Sequence, residues 1–195
     1  MRRFLACLAL LPLAGAALAE NFDYSYVEGS YGRTDFDGLG DGDGFGIGGS
    51  LALTDRFHVF AGYETGDVDV DVPPFGEVSV DFDGFEVGMG FNTPLSDTID
   101  FVASLAYLSA ELELEGVSAD EDGYGVNVGL RAMVSPALEL NGGIGYADLG
   151  EGSGDTSFGA GFLYHFSDAF AAGVGGSWGD DVSSYALTAR LSFGQ

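Results

Sequence analysis

The sequence predicts an all-β fold, a single antiparallel up-and-down barrel of ten strands with eight as the fallback count, and three observations carry that prediction. Runs of about ten residues alternate apolar with small or polar side chains at period two, the repeat of a strand rather than a helix. The connections between runs alternate between short turns and longer acidic segments. Ahead of them stands a leader with the form of an export signal.

The leader comes first in the chain. Arg2 and Arg3 precede an apolar run from Phe4 to Leu18 that closes on Ala17-Leu18-Ala19, an A-x-A cleavage site before Glu20. Residues 1–19 are therefore expected to be removed, leaving 20–195 as one barrel domain. Cys7, the only cysteine, lies inside the apolar run, whereas a lipidated cysteine would follow it. The mature chain then has no disulfide. No later stretch holds the roughly 18 uninterrupted apolar residues of a membrane-crossing helix. Any crossing must be made by strands.

The first strand is read at Tyr24 to Arg33. Next comes a hairpin, Gly44 to Leu53 and Phe57 to Glu64, turned by Thr54, Asp55 and Arg56. In it Phe45, Ile47, Leu51 and Leu53 share one face, as do Phe57, Val59, Ala61 and Tyr63 across the turn. The same template gives Gly84 to Asn92, Ile99 to Ala110, Tyr124 to Val134 and Leu138 to Ala147. Ser157 to Phe166, Phe170 to Trp178 and Tyr185 to Phe193 complete the ten. These lengths suit the ~9–11 residues of a tilted transmembrane strand.

Five connections, Thr34 to Asp43, Asp67 to Asp83, Glu111 to Gly123, Asp148 to Thr156 and Gly179 to Ser184, hold 21 of the 31 acids. The other four are short. Short turns at one end and long acidic loops at the other are the asymmetry of an outer-membrane barrel, with the loops outside the cell. A secreted β-sandwich would also alternate, but it would show solvent Lys, Thr and Glu on its polar face. Here that face is mostly Gly, Ser and Ala, which suits a crowded lumen.

Composition excludes other classes. The 31 acids face six arginines and no lysine, for a formal net charge of −25, or −27 once Arg2 and Arg3 leave with the leader. Six arginines among so many acids cannot neutralise a phosphate backbone, so nucleic acid is not expected as a partner. Disorder would account for the acids and the 33 glycines but not for 16 Phe and 9 Tyr.

Carrying the two-residue phase through each strand places Glu28, Glu64, Glu86, Asn127, Arg131, Glu139, Asn141 and Arg190 in the lumen. An arginine facing lipid at the midplane would cost about 2–4 kcal/mol, so both arginines should be inside and paired. Glu64 and Glu86 are the expected partners. The cluster reads as a network that fills the barrel, or as the selectivity element of a narrow cation channel. Barrels of this strand number are largely filled by side chains.

Beyond the lipid the apolar residues change sides. Val68, Val70, Val72, Val78, Val80 and Phe82 occupy the lumen phase between outward acids, as do Phe36, Leu112, Leu114 and Val182. This predicts a protruding collar, carboxylates outside and an apolar throat within. The throat either packs shut or admits a hydrophobic ligand. At the opposite end Phe22, Tyr24 and Tyr26 take the lumen phase, as an aromatic plug or because a bulge shifts the register.

Other sites carry less. Asp35, Asp37, Asp41 and Asp43 offer carboxylates for weak divalent-cation binding, but Ala52 stands where a calcium loop would need a bidentate Glu. Gly44-Phe-Gly46-Ile-Gly-Gly49 matches a dinucleotide motif with no helix after it. His58 and His165 fall short of the three or four ligands a metal wants. No nucleophile pairs with a base, and no cofactor is implied.

The chain resembles the small outer-membrane β-barrel superfamily of OmpA-type and OmpX-type barrels. The stretches Tyr24-Ser-Tyr-Val-Glu-Gly-Ser-Tyr31 and Phe57-His-Val-Phe-Ala-Gly-Tyr63 are similar to small barrels of xanthomonad-type bacteria. The resemblance implies residence in the outer membrane, contact with its lipid and lipopolysaccharide, insertion by the barrel-assembly machinery, and no established catalytic residues. Family members commonly end on an aromatic read during assembly, whereas Phe193 is followed here by Gly194 and Gln195. The function expected is non-enzymatic, structural or surface-interacting through the collar, with cations as further partners. The alternatives are a narrow cation-preferring channel or hydrophobic-ligand conduit, and a vesicle-shed protein sensed by other cells.

Overall fold

The structure, a computed structural model, describes residues 22–37, 40–72, 76–114, 117–150 and 154–193. The leader, with Cys7, lies outside them. The strands are β1 (Tyr26–Phe36), β2 (Gly40–Ala52), β3 (Phe57–Val72), β4 (Gly76–Ser96), β5 (Ile99–Leu114), β6 (Val117–Ser135), β7 (Leu138–Leu149), β8 (Asp155–His165), β9 (Phe170–Trp178) and β10 (Val182–Ser192). Each pairs antiparallel with its sequence neighbours, and β1 closes on β10. The count is ten. Closure satisfies every ladder within the ring, as lipid requires, and leaves no sheet edge.

Strand starts at the short-turn end fall where the alternation begins, at Phe57, Ile99, Leu138 and Phe170. At the other end the expectation of long loops is corrected. Most of those acidic residues belong to strands, because the Asp-Val alternation keeps pairing across β3 and β4, with Val68 opposite Val80 and Val70 opposite Val78. The wall is uneven: β4 has 21 residues and β6 has 19, against 9 in β9. The collar is thus a tall screen on one side and a low rim on the other.

The two faces follow the predicted phase. Phe45 and Ile47 are 64% and 65% exposed on the lipid side. Inside, apolar side chains form three layers. Phe22, Tyr24 and Val102 pack at the short-turn end, and Phe60, Ala106, Leu108, Ala110, Ala147 and Leu149 pack in the middle. Phe36, Val68 and Val182 pack together at the far mouth, with Val70 and Phe82 against them. Between Tyr26 and Phe36 the β1 pairings run without a shift on both flanks, so the aromatics are a plug and no bulge intervenes.

Candidate functional site

The lumen polar residues come from strands that bring opposite charges to one level. Arg131 on β6 meets Glu139 on β7 through two bonds, Nε to Oε1 at 2.6 Å and Nη2 to Oε2 at 2.9 Å. Arg190 on β10 stands directly across the closing seam from Glu28 on β1, with Nη2 2.7 Å and Nε 3.0 Å from Oε2. The guanidinium of Arg131 lies 4.8 Å from the Phe22 ring centroid and 4.9 Å from that of Tyr24, and Arg190 lies 4.0 Å from Tyr26. The aromatic plug therefore also stacks on the cations.

The expected partnership of the arginines with Glu64 and Glu86 is corrected. Those two acids sit on β3 and β4, while Arg131 is on β6 and Arg190 on β10. A closer carboxylate wins in both cases. Glu64 and Glu86 extend into the lumen with no cation among the described residues beside them; the charges that bear on Glu86 are those of Glu64 and Glu28. The Glu86 side chain lies over Gly62, where an added Cβ would come within 2.9 Å of Oε1.

Asn127 and Asn141 face inward, over Gly143 and Gly161. Asn92 and Asp100, at 0% exposure, belong to the same interior and were missing from the expected set. Both lie in the lumen phase of their strands, so the alternation could have found them. His165 Nε2 is 3.2 Å from Glu139 Oε2, and the His58 ring stacks on Tyr24 at 4.8 Å between centroids. The two histidines thus serve different partners.

Of the throat residues, Phe36, Val68, Val70, Phe82 and Val182 meet as one cap. Leu112 packs on the middle layer, Val78, Val80 and Leu114 are half-buried, and the Val72 side chain lies outside the described residues. Under the cap is a cavity of about 90 Å³ bounded by Phe36, Val68, Phe82, Ser30, Thr34 and Glu64. A second, of about 30 Å³, lies between Glu64, Glu86, Leu108 and Leu149. A water needs about 10–15 Å³, so each has room for only a few waters. Beneath them stand the middle layer, the ion pairs and the plug.

At the bilayer's collar-side boundary, aromatic side chains hold acids of the next rows. Tyr107 donates to Asp122 Oδ1 at 2.6 Å, Tyr31 to Asp43 Oδ2 at 3.2 Å, and Tyr146 to Asp148 Oδ2 at 3.4 Å. Tyr63 donates to Asp83 in the same manner. The hydroxyls of Tyr107 and Ser109 hold Asp122, beyond the aromatic belt, below the usual carboxylate range. Asp41 pairs with Arg33, and Asp35 and Asp37 stay exposed. Among the described residues no three His, Cys, Asp or Glu gather to hold a metal ion.

No curated protein matches the sequence. Among solved structures, the β-domain of the autotransporter BrkA from Bordetella superposes with a TM-score of 0.54 at 12% identity, covering 86% of this chain and 98% of that one. The NanC porin gives 0.53 at 7%, covering 86% and 98%. The transport unit of the autotransporter AIDA-I from Escherichia coli gives 0.51 at 11%, covering 96% and 95%. At such identities the likeness is one of fold. The family described as outer membrane protein beta-barrel domain matches residues 4–166. With the closed ring, the lipid-facing apolar belt and the family match in hand, the chain belongs to the outer membrane protein beta-barrel domain family and is a barrel of the outer membrane.

Proposed function

We propose that this barrel is non-enzymatic and works in envelope structure and surface interaction, presenting an acidic collar on a filled lumen. In this reading it is exported behind residues 1–19, which are cleaved before Glu20, and is inserted by the barrel-assembly machinery. The resemblance to xanthomonad-type small barrels accords with such a role. The observation that carries the reading is the three-layered interior: plug and ion pairs, Phe60 to Leu149, and the Phe36 cap. A lumen so packed is a strut.

The collar's outer face supports the second half of the reading. Asp43 faces Asp67, Asp67 faces Asp81, Asp81 faces Glu113, and Glu111 faces both Asp83 and Asp120. Like charges directly opposite destabilise a sheet. Divalent cations, which take carboxylate oxygens, relieve that repulsion and bridge the collar to anionic glycolipid. The test is complementation of a deletion strain, read as sensitivity to detergent. Wild type and a Glu64→Gln, Glu86→Gln variant should restore resistance, and a variant with Asp67, Asp69 and Asp81 changed to Asn should not. Equal rescue by the collar variant would remove the collar from the function.

One observation favours a narrow cation-preferring conduit as the second reading. Glu64 and Glu86 border the two cavities with no arginine among the described residues beside them, so a cation drawn into the mouth would meet carboxylates.

A further inference from the structure

The lipid-facing wall carries two shallow grooves. One, about 590 Å³, runs across β8, β9, β10 and β1 between Phe162, Val174, Trp178, Tyr185 and Leu187. The other, about 410 Å³, runs across β3 to β6 around Val59, Met89, Leu105 and Tyr124. Both have volumes of the order of ligand sites, about 300–1,000 Å³. They differ in one respect. Each has an acid held by a tyrosine at its edge, Asp122 by Tyr107 at the second and Asp43 by Tyr31 at the first, but only the first has a cation, Arg33, among its lining residues.

The register shows how the first groove forms. Ala160 lies opposite Gly176, Gly176 opposite Tyr185, and Tyr185 opposite Arg33, so one outward row runs small, small, aromatic, cationic. The Trp178 indole folds down over Gly176, 3.0 Å from where a Cβ would sit, and its Nε1 donates to Tyr185 Oη at 3.3 Å. The indole covers Gly176, and exposed Ala160 beside it leaves a notch in the aromatic belt with the Trp178–Tyr185 pair along its edge. Above it the wall is lowest, because β8, β9 and β10 have only 11, 9 and 11 residues. A headgroup can therefore come down to the groove's upper end.

Charge then selects the occupant. Of the arginines among the described residues, Arg131 and Arg190 are sealed in the lumen, and Arg56 lies in the turn after β2 at the opposite end. In a strongly acidic chain, Arg33 is the one described cation at the outer boundary. Its ion pair with Asp41 is exposed, at 65% and 49% for the two side chains, and such pairs are weak enough to exchange. A guanidinium also matches phosphate geometry with two parallel donors.

We propose that the groove under Arg33 is a specific site for a phosphorylated outer-leaflet glycolipid, its acyl chain laid between Phe162 and Tyr185 and its phosphate on the Arg33 guanidinium. The site is separate from cation bridging at the collar. Arg33 needs no metal.

The test is native mass spectrometry of the refolded barrel in EDTA, titrated with bisphosphorylated lipid A or with its dephosphorylated form. EDTA removes any contribution from the collar. Wild type should hold one lipid A and discriminate against the dephosphorylated form by about tenfold, the worth of one charge-assisted hydrogen bond. Arg33→Gln should lose that discrimination, and Ala160→Trp should fill the notch and weaken both ligands. Val87→Trp, in the other groove, should bind as wild type does. Heat-modifiable migration confirms that each variant is folded. Retention of lipid A by Arg33→Gln at the wild-type level, or equal losses in Ala160→Trp and Val87→Trp, would overturn the proposal. Lipid A binding that vanishes in EDTA would overturn it too, while leaving the collar reading standing.

Discussion

Arg131 and Glu139 form a two-point ion pair at 2.6 and 2.9 Å, at 3% and 0% side-chain exposure. They sit diagonally across β6 and β7, since Arg131 is opposite Asn141 and Glu139 opposite Met133. Neither charge has water to fall back on.

Breaking that pair is therefore costly. Glu139→Gln leaves Arg131 buried with a neutral partner and should destabilise the folded barrel by about 3–5 kcal/mol. Urea unfolding in bilayers, followed by the fluorescence of Trp178, measures it. Glu64→Gln removes a carboxylate with no cation among the described residues beside it and should not lower stability. Equal losses would mean that Glu64 has a partner in the membrane.

Backbone packing makes a sharper contrast between two lumen-phase glycines on neighbouring strands. A Cβ at Gly173 would lie 1.9 Å from the Phe162 carbonyl oxygen, whereas one at Gly159 would meet nothing nearer than 3.8 Å. Gly173→Ala should cost at least the ~1–3 kcal/mol of overpacking. Gly159→Ala should refold as wild type does, by the same unfolding assay.

The Tyr107–Asp122 bond has a pH signature. Its folded-state carboxyl titrates below the ordinary range because Tyr107 and Ser109 donate to it. A depressed carboxylate adds stability above its unfolded value and loses it as pH falls through the folded value. Tyr107→Phe should move the Asp122 midpoint upward, measured by carboxyl carbon NMR in micelles. An unmoved midpoint would show that the phenol makes no such bond.

Cations should stiffen the collar and nothing else. The facing acids Asp67 and Asp81 repel unless bridged. Millimolar Mg²⁺ or Ca²⁺ should slow amide exchange in residues 67–72 and 78–83, with no change in residues 99–108. Asp67→Asn with Asp81→Asn should abolish the effect.

Much of this was legible in the alternation, and what was not has a physical reason. Period two assigns Arg131, Arg190 and Glu139 to the lumen, and it assigns Asp100 and Asn92 there as well. It cannot say which acid meets which arginine, because that depends on ring position. Closure of β1 on β10 puts Glu28 beside Arg190, and a diagonal step brings Glu139 to Arg131. The strand ends were misjudged for a related reason. Acids in 67–83 resemble loop, yet the valines between them keep pairing beyond the lipid. The groove under Arg33 is not legible in the sequence because it crosses the seam where β10, late in the chain, closes on β1.

The claim that the lumen is closed is tested most directly by single-channel recording of the refolded mature barrel in a planar bilayer, beside its Glu64→Gln, Glu86→Gln variant. The three packed layers predict a silent bilayer for both, with heat-modifiable migration proving that the barrels are folded. Discrete cation-selective openings in wild type that change in the variant would contradict the account and make the barrel a channel.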